Sequence, residues 1–154
     1  MRLEIKAVGV DAPGMAEFIG EHLRDLEATA PDESRHAFDA DRLTGPTVQL
    51  YAGYLGSKPV TMGALHFFAD YMAEVKSMRT MDSHRGRGHA RKMLQHLVEV
   101  ATERGVRTLL LETGTHDHFR AARALYESVG FTPAPAFGSY RSDPHSAYYR
   151  LPLN

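Results

Sequence analysis

The chain has 154 residues, of which 43% are hydrophobic, and its formal net charge is −1. This length and composition predict one globular domain over residues 1–154. No stretch reaches the roughly 20 apolar residues that span a bilayer, the N-terminus has no signal-peptide core, and a charge near zero argues against a general nucleic-acid-binding protein. The sequence contains no cysteine. This excludes disulfides and zinc–thiolate sites and is consistent with a cytoplasmic protein.

Charge is distributed unevenly along the chain. Residues 1–45 carry ten acidic and five basic side chains, whereas residues 76–107 carry eight basic and three acidic ones. Most of these residues are typical of a solvated surface. The basic middle segment nevertheless indicates an anionic ligand, and the acidic front segment would suit a cationic one.

Hydrophobic patterning predicts ten elements in the order β-α-β-β-β-α-β-α-β-β. The predicted ranges are a strand at 3–8, a helix from 13 to about 28, strands at 47–54, 60–68 and 71–80, a helix from 88 to the stop at 105, a strand at 106–112, a helix at 117–129, and a final strand pair beginning at 131 and ending at 147–151. Residues 31–45 are expected to form a loop with a short helical piece. A Pro/Gly/Ser-rich loop is predicted at 133–144. This order implies a mixed sheet with helices on its faces.

The turn before the second helix is the most informative segment. Arg85, Gly86, Arg87 and Gly88 follow a predicted strand and open an amphipathic helix. This arrangement places free backbone amides, a helix N-terminus and cations around one point, which suits a phosphate or pyrophosphate. It is not the dinucleotide fingerprint, because Arg91 occupies the third glycine position. Glycines that merely cap a helix remain an alternative.

Two further segments lie downstream at a fixed spacing from this turn. Residues 111–114 read Leu-Glu-Thr-Gly, and residues 122–131 follow the pattern Ala-x-x-Leu-Tyr-Glu-x-x-Gly-Phe. Together with Arg85-x-x-Gly88-x-Ala90, they resemble the GCN5-related N-acetyltransferase (GNAT) superfamily, whose acetyl-CoA motif is Arg/Gln-x-x-Gly-x-Gly/Ala. The resemblance covers residues 74–131 well, and the remaining elements match in order only.

The resemblance implies a fold and a co-substrate. The fold is α/β (α+β), with a mixed, mostly antiparallel sheet of six to seven strands, about four flanking helices and a splay between the two central parallel strands. Acetyl-CoA is implied as co-substrate, and no metal is expected. The cofactor-binding residues that it implies are Met78, Arg79, Thr80, Arg85, Gly86, Arg87, Gly88, His89, Ala90 and Tyr126.

Each group of these residues has a physical role in that assignment. The amides of residues 85–90 would receive the pyrophosphate, and glycine at 86 and 88 lets the backbone approach it because no Cβ intervenes. The splayed strand at 78–80 would pair with the pantetheine arm, and the Met78 amide would polarise the thioester carbonyl. The alternatives are solvated loop cations for Arg85 and Arg87, and a plain sheet strand for 76–80.

Acetyl transfer to an amine needs an acid and a base. The resemblance assigns the acid to Tyr126, although the helical pattern also allows a core aromatic residue there. Glu74 is the first candidate base and Glu112 the second. A strand glutamate is otherwise a solvent-facing residue or an ion-pair partner.

Two features near the third predicted helix concern the family pattern and a possible metal site. Many family members carry asparagine where this chain has Phe119, so that cofactor contact is not transferred. The run His116, Asp117 and His118 has ligand-like spacing but no third or fourth ligand. Asp117 is instead interpreted as a helix N-cap.

Three functional classes are compatible with the sequence. The first is an N-acetyltransferase acting by direct attack on an amine-bearing acceptor such as a polyamine, an aminoglycoside or a lysine side chain. The second is a catalytically weak acyl-CoA-binding regulatory domain of the same fold, and the third is a partner-binding protein whose Arg/Gly turn binds another anion. No nucleic-acid or membrane partner is expected, a homodimer is possible, and residues 137–144 are expected to line the acceptor side.

Overall fold

The computed structural model describes residues 1–29 and 45–153. In that part of the chain it contains seven strands, three α-helices and two short 3-10 turns. The elements are β1 Leu3–Val8, α1 Met15–Thr29, β2 Val48–Leu55, β3 Lys58–Ala69, β4 Met72–Thr80, a 3-10 turn Asp82–His84, α2 His89–Glu103, β5 Thr108–Gly114, a 3-10 turn Asp117–Phe119, α3 Arg120–Val129, β6 Thr132–Pro133 and β7 Ser146–Pro152.

The predicted order of elements is confirmed, with small shifts at the boundaries. The helical piece expected in the loop after α1 lies outside the described residues. The helix predicted from residue 117 begins as a 3-10 turn and becomes α-helical only at Arg120. Gly105 and Gly130 follow the ends of α2 and α3 with φ of +81° and +114°, a conformation that glycine adopts without a steric penalty.

The strands form one seven-stranded sheet in the order β1-β2-β3-β4-β5-β7-β6. All neighbouring pairs are antiparallel except β4 and β5, which run parallel. The predicted mixed, mostly antiparallel sheet is therefore confirmed. β5 lies near the middle and is buried on both faces at Leu109, Leu110 and Leu111, as expected for a continuous apolar run.

The predicted splay lies between β4 and β5. Their pairing runs from Met72↔Thr108 to Val75↔Leu111 and goes no further, although β4 continues to Thr80. Opposite Gly63, the register between β3 and β4 shifts by one residue, and Ser77 has φ +58°. A bulge of this kind bends and twists its strand. We attribute the divergence of β4 from β5 to this bulge.

Two cores lie on the two faces of the sheet. Helices α2 and α3 cover one face, where the buried hydrophobic residues are Tyr51, Leu65, Ala73, Val75, Met93, Leu94, Leu97, Ala101, Val106, Leu109, Leu111, Tyr126, Phe131 and Tyr149. Helix α1 covers β2 and β3 on the other face, with Met15, Phe18, Ile19, Leu50, Ala52, Tyr54, Met62 and Ala64. The splay between β4 and β5 therefore has α2 and α3 on one side of the sheet and α1 on the other.

Candidate active site

A cleft of about 420 Å³ opens beside the splay, between the end of β4, the turn that follows it and α3. The lining residues are His22, Met78, Arg79, Thr80, His84, Arg85, Gly86, Gly88, His89, Ala90, Arg91, His118, Phe119, Ala121, Ala122, Leu125 and Tyr126. The structure thus brings together every residue that the sequence assigned to acetyl-CoA except Arg87, which is exposed and lies outside this lining.

The turn before α2 presents unused backbone donors. Gly86 and Gly88 have φ of +78° and +84°, and a Cβ on either would meet no atom within 4 Å. In the described part of the chain, the amides of residues 86–91 donate to no backbone carbonyl, and the N-cap Gly88 has no side chain to satisfy them. Orphan amides at the positive end of a 15-residue helix form an anion-binding surface.

The cations around this turn differ in their partners. The Arg85 guanidinium lies 2.9 Å from the Asp82 carboxylate, and both side chains are more than half exposed. Arg91 lines the cleft and donates a hydrogen bond to Ser128 Oγ at 2.8 Å. Arg91 was not predicted as a cleft residue, although its position in the first turn of α2 could have suggested it.

His89 is the buried polar residue of the turn. It is 9% exposed, and neither ring nitrogen has a hydrogen-bond partner in the described part of the chain. Burial, followed by the neighbouring charges of His84, Lys92 and Arg87, lowers the pKa of His89. A buried group of this kind calls for an explanation, and a ligand in the cleft would provide one.

The end of β4 forms the wall of the cleft on the side of α1. Met78 and Thr80 line it, and the Arg79 side chain is 6% exposed, with Nη2 3.9 Å from Glu21 Oε2. From α1 the buried His22 also reaches the cleft. No pattern in the sequence points to His22, because only the packing of α1 across the sheet brings it here.

Tyr126 is an aromatic core residue that also lines the cleft. It is 6% exposed, packs its ring near Phe131 and Tyr149, and also lines the cleft. Burial, and secondarily the negative charge of Glu112, raises the pKa of Tyr126 above its ordinary value of 10.0. The phenol therefore remains protonated near neutral pH.

The two candidate bases, Glu74 and Glu112, lie on the same face of the sheet, opposite the face that Tyr126 packs against. Glu74 pairs with Leu110 across the parallel ladder, and Glu112 lies two residues beyond Leu110 on the same face. On β7, which neighbours β5, Tyr148 pairs with Glu112 across the ladder. The register thus places both carboxylates on one surface that borders the splay, with Tyr126 approaching from the other side.

The two carboxyl groups have different surroundings. Glu74 is 5% exposed, accepts a hydrogen bond from the Tyr140 hydroxyl at 2.5 Å, and lies 3.8 Å from His66 Nδ1. Glu112 accepts a hydrogen bond from Ser146 Oγ at 2.8 Å. Burial, with smaller contributions from the charges of Glu74 and Asp143, raises the pKa of Glu112 to about 7. The structure thus supplies a carboxyl group that titrates near neutral pH.

The raised pKa of Glu112 predicts a pH-dependent cost to folding. Between its ordinary value of 4.5 and about 7 the folded chain retains a proton that the unfolded chain releases, so stability falls as pH rises through this window. We expect Glu112→Gln, which keeps an acceptor for Ser146, to stabilise the protein at pH 8 by on the order of 2 kcal/mol, or about 5 °C in Tm.

Thermal unfolding of both proteins at pH 5 and pH 8 tests this expectation. The gain in Tm should be much smaller at pH 5, where the native Glu112 is already protonated. Glu127→Gln, at an exposed carboxylate that accepts a hydrogen bond from Tyr149, is the matched control. An equal change in Tm at both pH values would show that Glu112 carries no buried charge.

The resemblance to the family implies an asparagine at position 119, where this chain has Phe119. Its ring lines the cleft and lies against Gly114, where a Cβ would collide with the ring carbons. The glycine that ends β5 is therefore what makes room for the ring. At this point the cleft has an apolar wall instead of an amide.

The interpretation of Asp117 as an N-cap is wrong. His116 is the N-cap of the 3-10 turn and Phe119 that of α3, and neither makes a side-chain capping bond. Asp117 instead accepts a hydrogen bond from Arg120 at 2.9 Å, because a 3-10 turn places residues i and i+3 on one side. Within residues 1–29 and 45–153, no three His, Asp or Glu side chains are grouped to hold a metal.

Comparison with known proteins identifies the family. The family model described as acetyltransferase (GNAT) family matches residues 15–131, which is most of the chain. The chain belongs to this family. It is 36% identical over 146 residues to the uncharacterized N-acetyltransferase YsnE of Bacillus subtilis (strain 168), a match that covers 95% of this chain and 97% of that protein.

Solved structures of acyltransferases have the same fold. A protein from Klebsiella pneumoniae described as an acyl-CoA N-acyltransferase superposes with a TM-score of 0.79 at 27% identity, covering 99% of this chain and 98% of the other. The PaiA N-acetyltransferase of Thermoplasma acidophilum, solved in complex with coenzyme A, superposes with a TM-score of 0.75 at 13% identity, covering 99% and 100%. The protein is therefore an acetyltransferase enzyme of the GNAT fold. None of its described helices is both long and apolar enough to cross a membrane.

Proposed function

We propose that this acetyltransferase moves an acetyl group from acetyl-CoA to a primary amine by direct attack. The observation that carries the proposal is that two groups of residues lie on either side of the splay between β4 and β5. On one side, the unpaired amides of residues 86–91 and the side chain of Tyr126 face the cleft. On the other side lie Glu74 and Glu112. The proposal is also supported by the PaiA N-acetyltransferase, whose structure contains coenzyme A.

On the donor side, the cleft fits a phosphorylated, extended co-substrate. The amides at the start of α2 would hold the pyrophosphate, and the edge of β4 at Met78 and Thr80, which has no β5 partner beyond Val75, would pair with the pantetheine arm. The buried ring N–H of His89 would gain an acceptor there. Acetyl-CoA would supply the acetyl group as a thioester whose carbonyl carbon is open to attack.

On the acceptor side, we assign the base to Glu112 and keep Glu74 as the alternative. An amine arrives as an ammonium ion, so a base must first remove a proton before the nitrogen lone pair can attack. A carboxylate with a pKa of about 7 is matched to that task near neutral pH. Glu74 is already engaged by the hydroxyl of Tyr140.

Tyr126 is assigned as the acid that protonates the departing thiolate. While Glu112 is charged, it helps to hold the Tyr126 proton in place. Once Glu112 has accepted the ammonium proton, that contribution disappears and the phenol can release its proton more readily. When the carbon–nitrogen bond has formed and the carbon–sulfur bond has broken, the second amine proton returns to solvent or to Tyr126.

Tyr126→Phe tests this assignment. The ring packing against Phe131 and Tyr149 is retained, so we expect the affinity for acetyl-CoA to change less than about twofold. We expect kcat to fall about 100-fold, as is typical when general acid catalysis is lost. Release of free thiol measured against acetyl-CoA concentration separates the two effects.

The matched control is Tyr149→Phe, which removes a hydroxyl from the same aromatic group, where it donates to Glu127 at 2.8 Å. Its kcat should remain near that of the native enzyme. An unchanged kcat in Tyr126→Phe would refute the role of the phenol as acid.

A catalytically weak acyl-CoA-binding regulatory domain is the second candidate, because Phe119 replaces the asparagine that many relatives use to hold the cofactor arm. Thiol release from acetyl-CoA, measured with and without a panel of polyamines, aminoglycosides and lysine peptides, decides between the two. Amine-dependent release supports the enzyme, whereas binding without turnover supports the regulatory domain. Absence of any thermal shift with CoA would contradict both.

A further inference from the structure

Lys76 lies at the point where β4 leaves β5. It is the first residue of β4 beyond the last pair of the parallel ladder, Val75↔Leu111, and Glu112 is the corresponding next residue of β5. On its other side Lys76 still pairs with Ala64 of β3, before the bulge in that ladder. Residues at corresponding positions of neighbouring strands direct their side chains to the same face of a sheet. Lys76 and Glu112 therefore lie on one face, at the opening of the splay.

The surroundings of Lys76 leave its amine available for reaction. Its side chain is partly buried, and its ammonium makes no ion pair or hydrogen bond with any residue that the structure describes. Its charge nevertheless acts on the Glu112 carboxyl, so the two groups are close in space. The chain thus places a primary amine of its own beside the carboxyl group to which we assign the base.

The other three lysines of the chain are exposed and lie on other elements. Lys6 is on β1 with its ammonium over the Tyr54 ring, Lys58 begins β3, and Lys92 is on α2. The lysine next in register to Glu112 is Lys76. The other three lysines therefore serve as internal references for the reactivity of an exposed amine.

We propose that Lys76 is itself an acetyl acceptor, which the enzyme modifies within the same molecule when acetyl-CoA is bound. This inference rests on the proposed function for the position of the thioester, beside the Met78 amide. Two residues of an extended strand span about 7 Å, and the flexible four-carbon stem of a lysine side chain can cover this separation.

The reaction balances as an acyl transfer. The ammonium of Lys76 gives one proton to the Glu112 carboxylate, the nitrogen lone pair attacks the thioester carbon, and the carbon–nitrogen bond forms as the carbon–sulfur bond breaks. A second nitrogen proton passes to the thiolate through Tyr126 or solvent. The products are Nε-acetyl-lysine, free CoA and the proton that Glu112 then releases to solvent. Because the amide is neutral, the modification removes one positive charge from the face that carries Glu74 and Glu112.

Peptide mass spectrometry after incubation with isotope-labelled acetyl-CoA measures the rate of acetylation at each lysine. The isotope distinguishes new acetyl groups from any added during expression. Uncatalysed acetylation favours exposed amines, whereas the proposed reaction favours the partly buried one. We expect Lys76 to gain label at least about 10-fold faster than Lys58 or Lys92, because the amine is held beside the thioester and the base. The rate should be independent of protein concentration.

Three variants identify the origin of the label. Gly88→Glu places a carboxylate at the proposed pyrophosphate site, and Glu112→Gln removes the base. Both should slow the labelling of Lys76 toward the rate of the exposed lysines. Lys76→Arg keeps the positive charge and should take up no label at this position, while Lys58 and Lys92 are labelled as before.

The outcomes separate this inference from the proposed function. Labelling of Lys76 no faster than that of Lys58 and Lys92, labelling at the native rate in Gly88→Glu, or a rate that rises with protein concentration would each overturn the inference. If free amines still release thiol in that case, the proposed function is unaffected. Rapid labelling of Lys76 without turnover of any free amine supports the inference and contradicts transfer to a separate acceptor.

Discussion

Gly88→Glu is expected to weaken CoA binding at least about 100-fold. The substitution places a carboxylate where the amides at the start of α2 would receive the pyrophosphate, so like charges meet at the positive end of the helix. No steric clash contributes, because a Cβ at this position has no neighbour within 4 Å. Isothermal titration with CoA, or the thermal shift that CoA produces, measures the loss.

The same helix offers a matched control. Gly105 follows the opposite end of α2, has φ +81°, and a Cβ placed there would likewise have no atom within 4 Å. Gly105→Glu therefore imposes the same backbone strain without placing a charge in the cleft, and CoA affinity should be retained. Gly88→Ala gives the contribution of strain alone. Equal CoA affinity in Gly88→Glu and Gly105→Glu would show that the anion site lies elsewhere.

Glu112→Gln is expected to lower kcat at pH 8 by about 10²–10⁴-fold, the usual contribution of a general base. The native enzyme should gain activity as pH rises through about 7, because Glu112 accepts a proton only when ionised. The variant should lose this dependence. Affinity for acetyl-CoA should stay the same, because Glu112 lies across the splay from the cleft and does not line it.

Profiles of kcat/KM against pH for the native enzyme, Glu112→Gln and the control Glu127→Gln provide the measurement. The control changes an exposed carboxylate of α3 and should retain both rate and profile. Persistence of the acid limb in Glu112→Gln would move the base to Glu74. The fold itself is checked by the higher Tm that the same substitution should give at pH 8.

Local patterns in the sequence were sufficient for the order of the elements and for the conformation of the turn before α2. The conformation of the turn at Arg85 to Ala90 could be predicted because it depends on neighbours in sequence, namely two glycines, an adjacent strand end and the first turn of a helix. The apolar run of β5 and the helical spacing of α2 are local in the same sense. Asp117 failed as a prediction because N-cap and 3-10 turn have similar local signals, and the contact with Arg120 decided between them.

The acceptor side required the tertiary structure. The sequence named Glu74 and Glu112 as separate strand residues and ranked Glu74 first. It contained no sign that Tyr140, 66 residues away, donates to Glu74, or that Ser146 donates to Glu112.

The sequence by itself determined the order of elements, the family resemblance and the glycine turn, because backbone conformation and helix dipoles depend on adjacent residues. Only the tertiary structure decided which carboxyl titrates near neutral pH. That property depends on burial, on the charges of β4 and of the loop before β7, and on the hydrogen bond from Ser146 of β7. The packing of the sheet sets the distances between these segments.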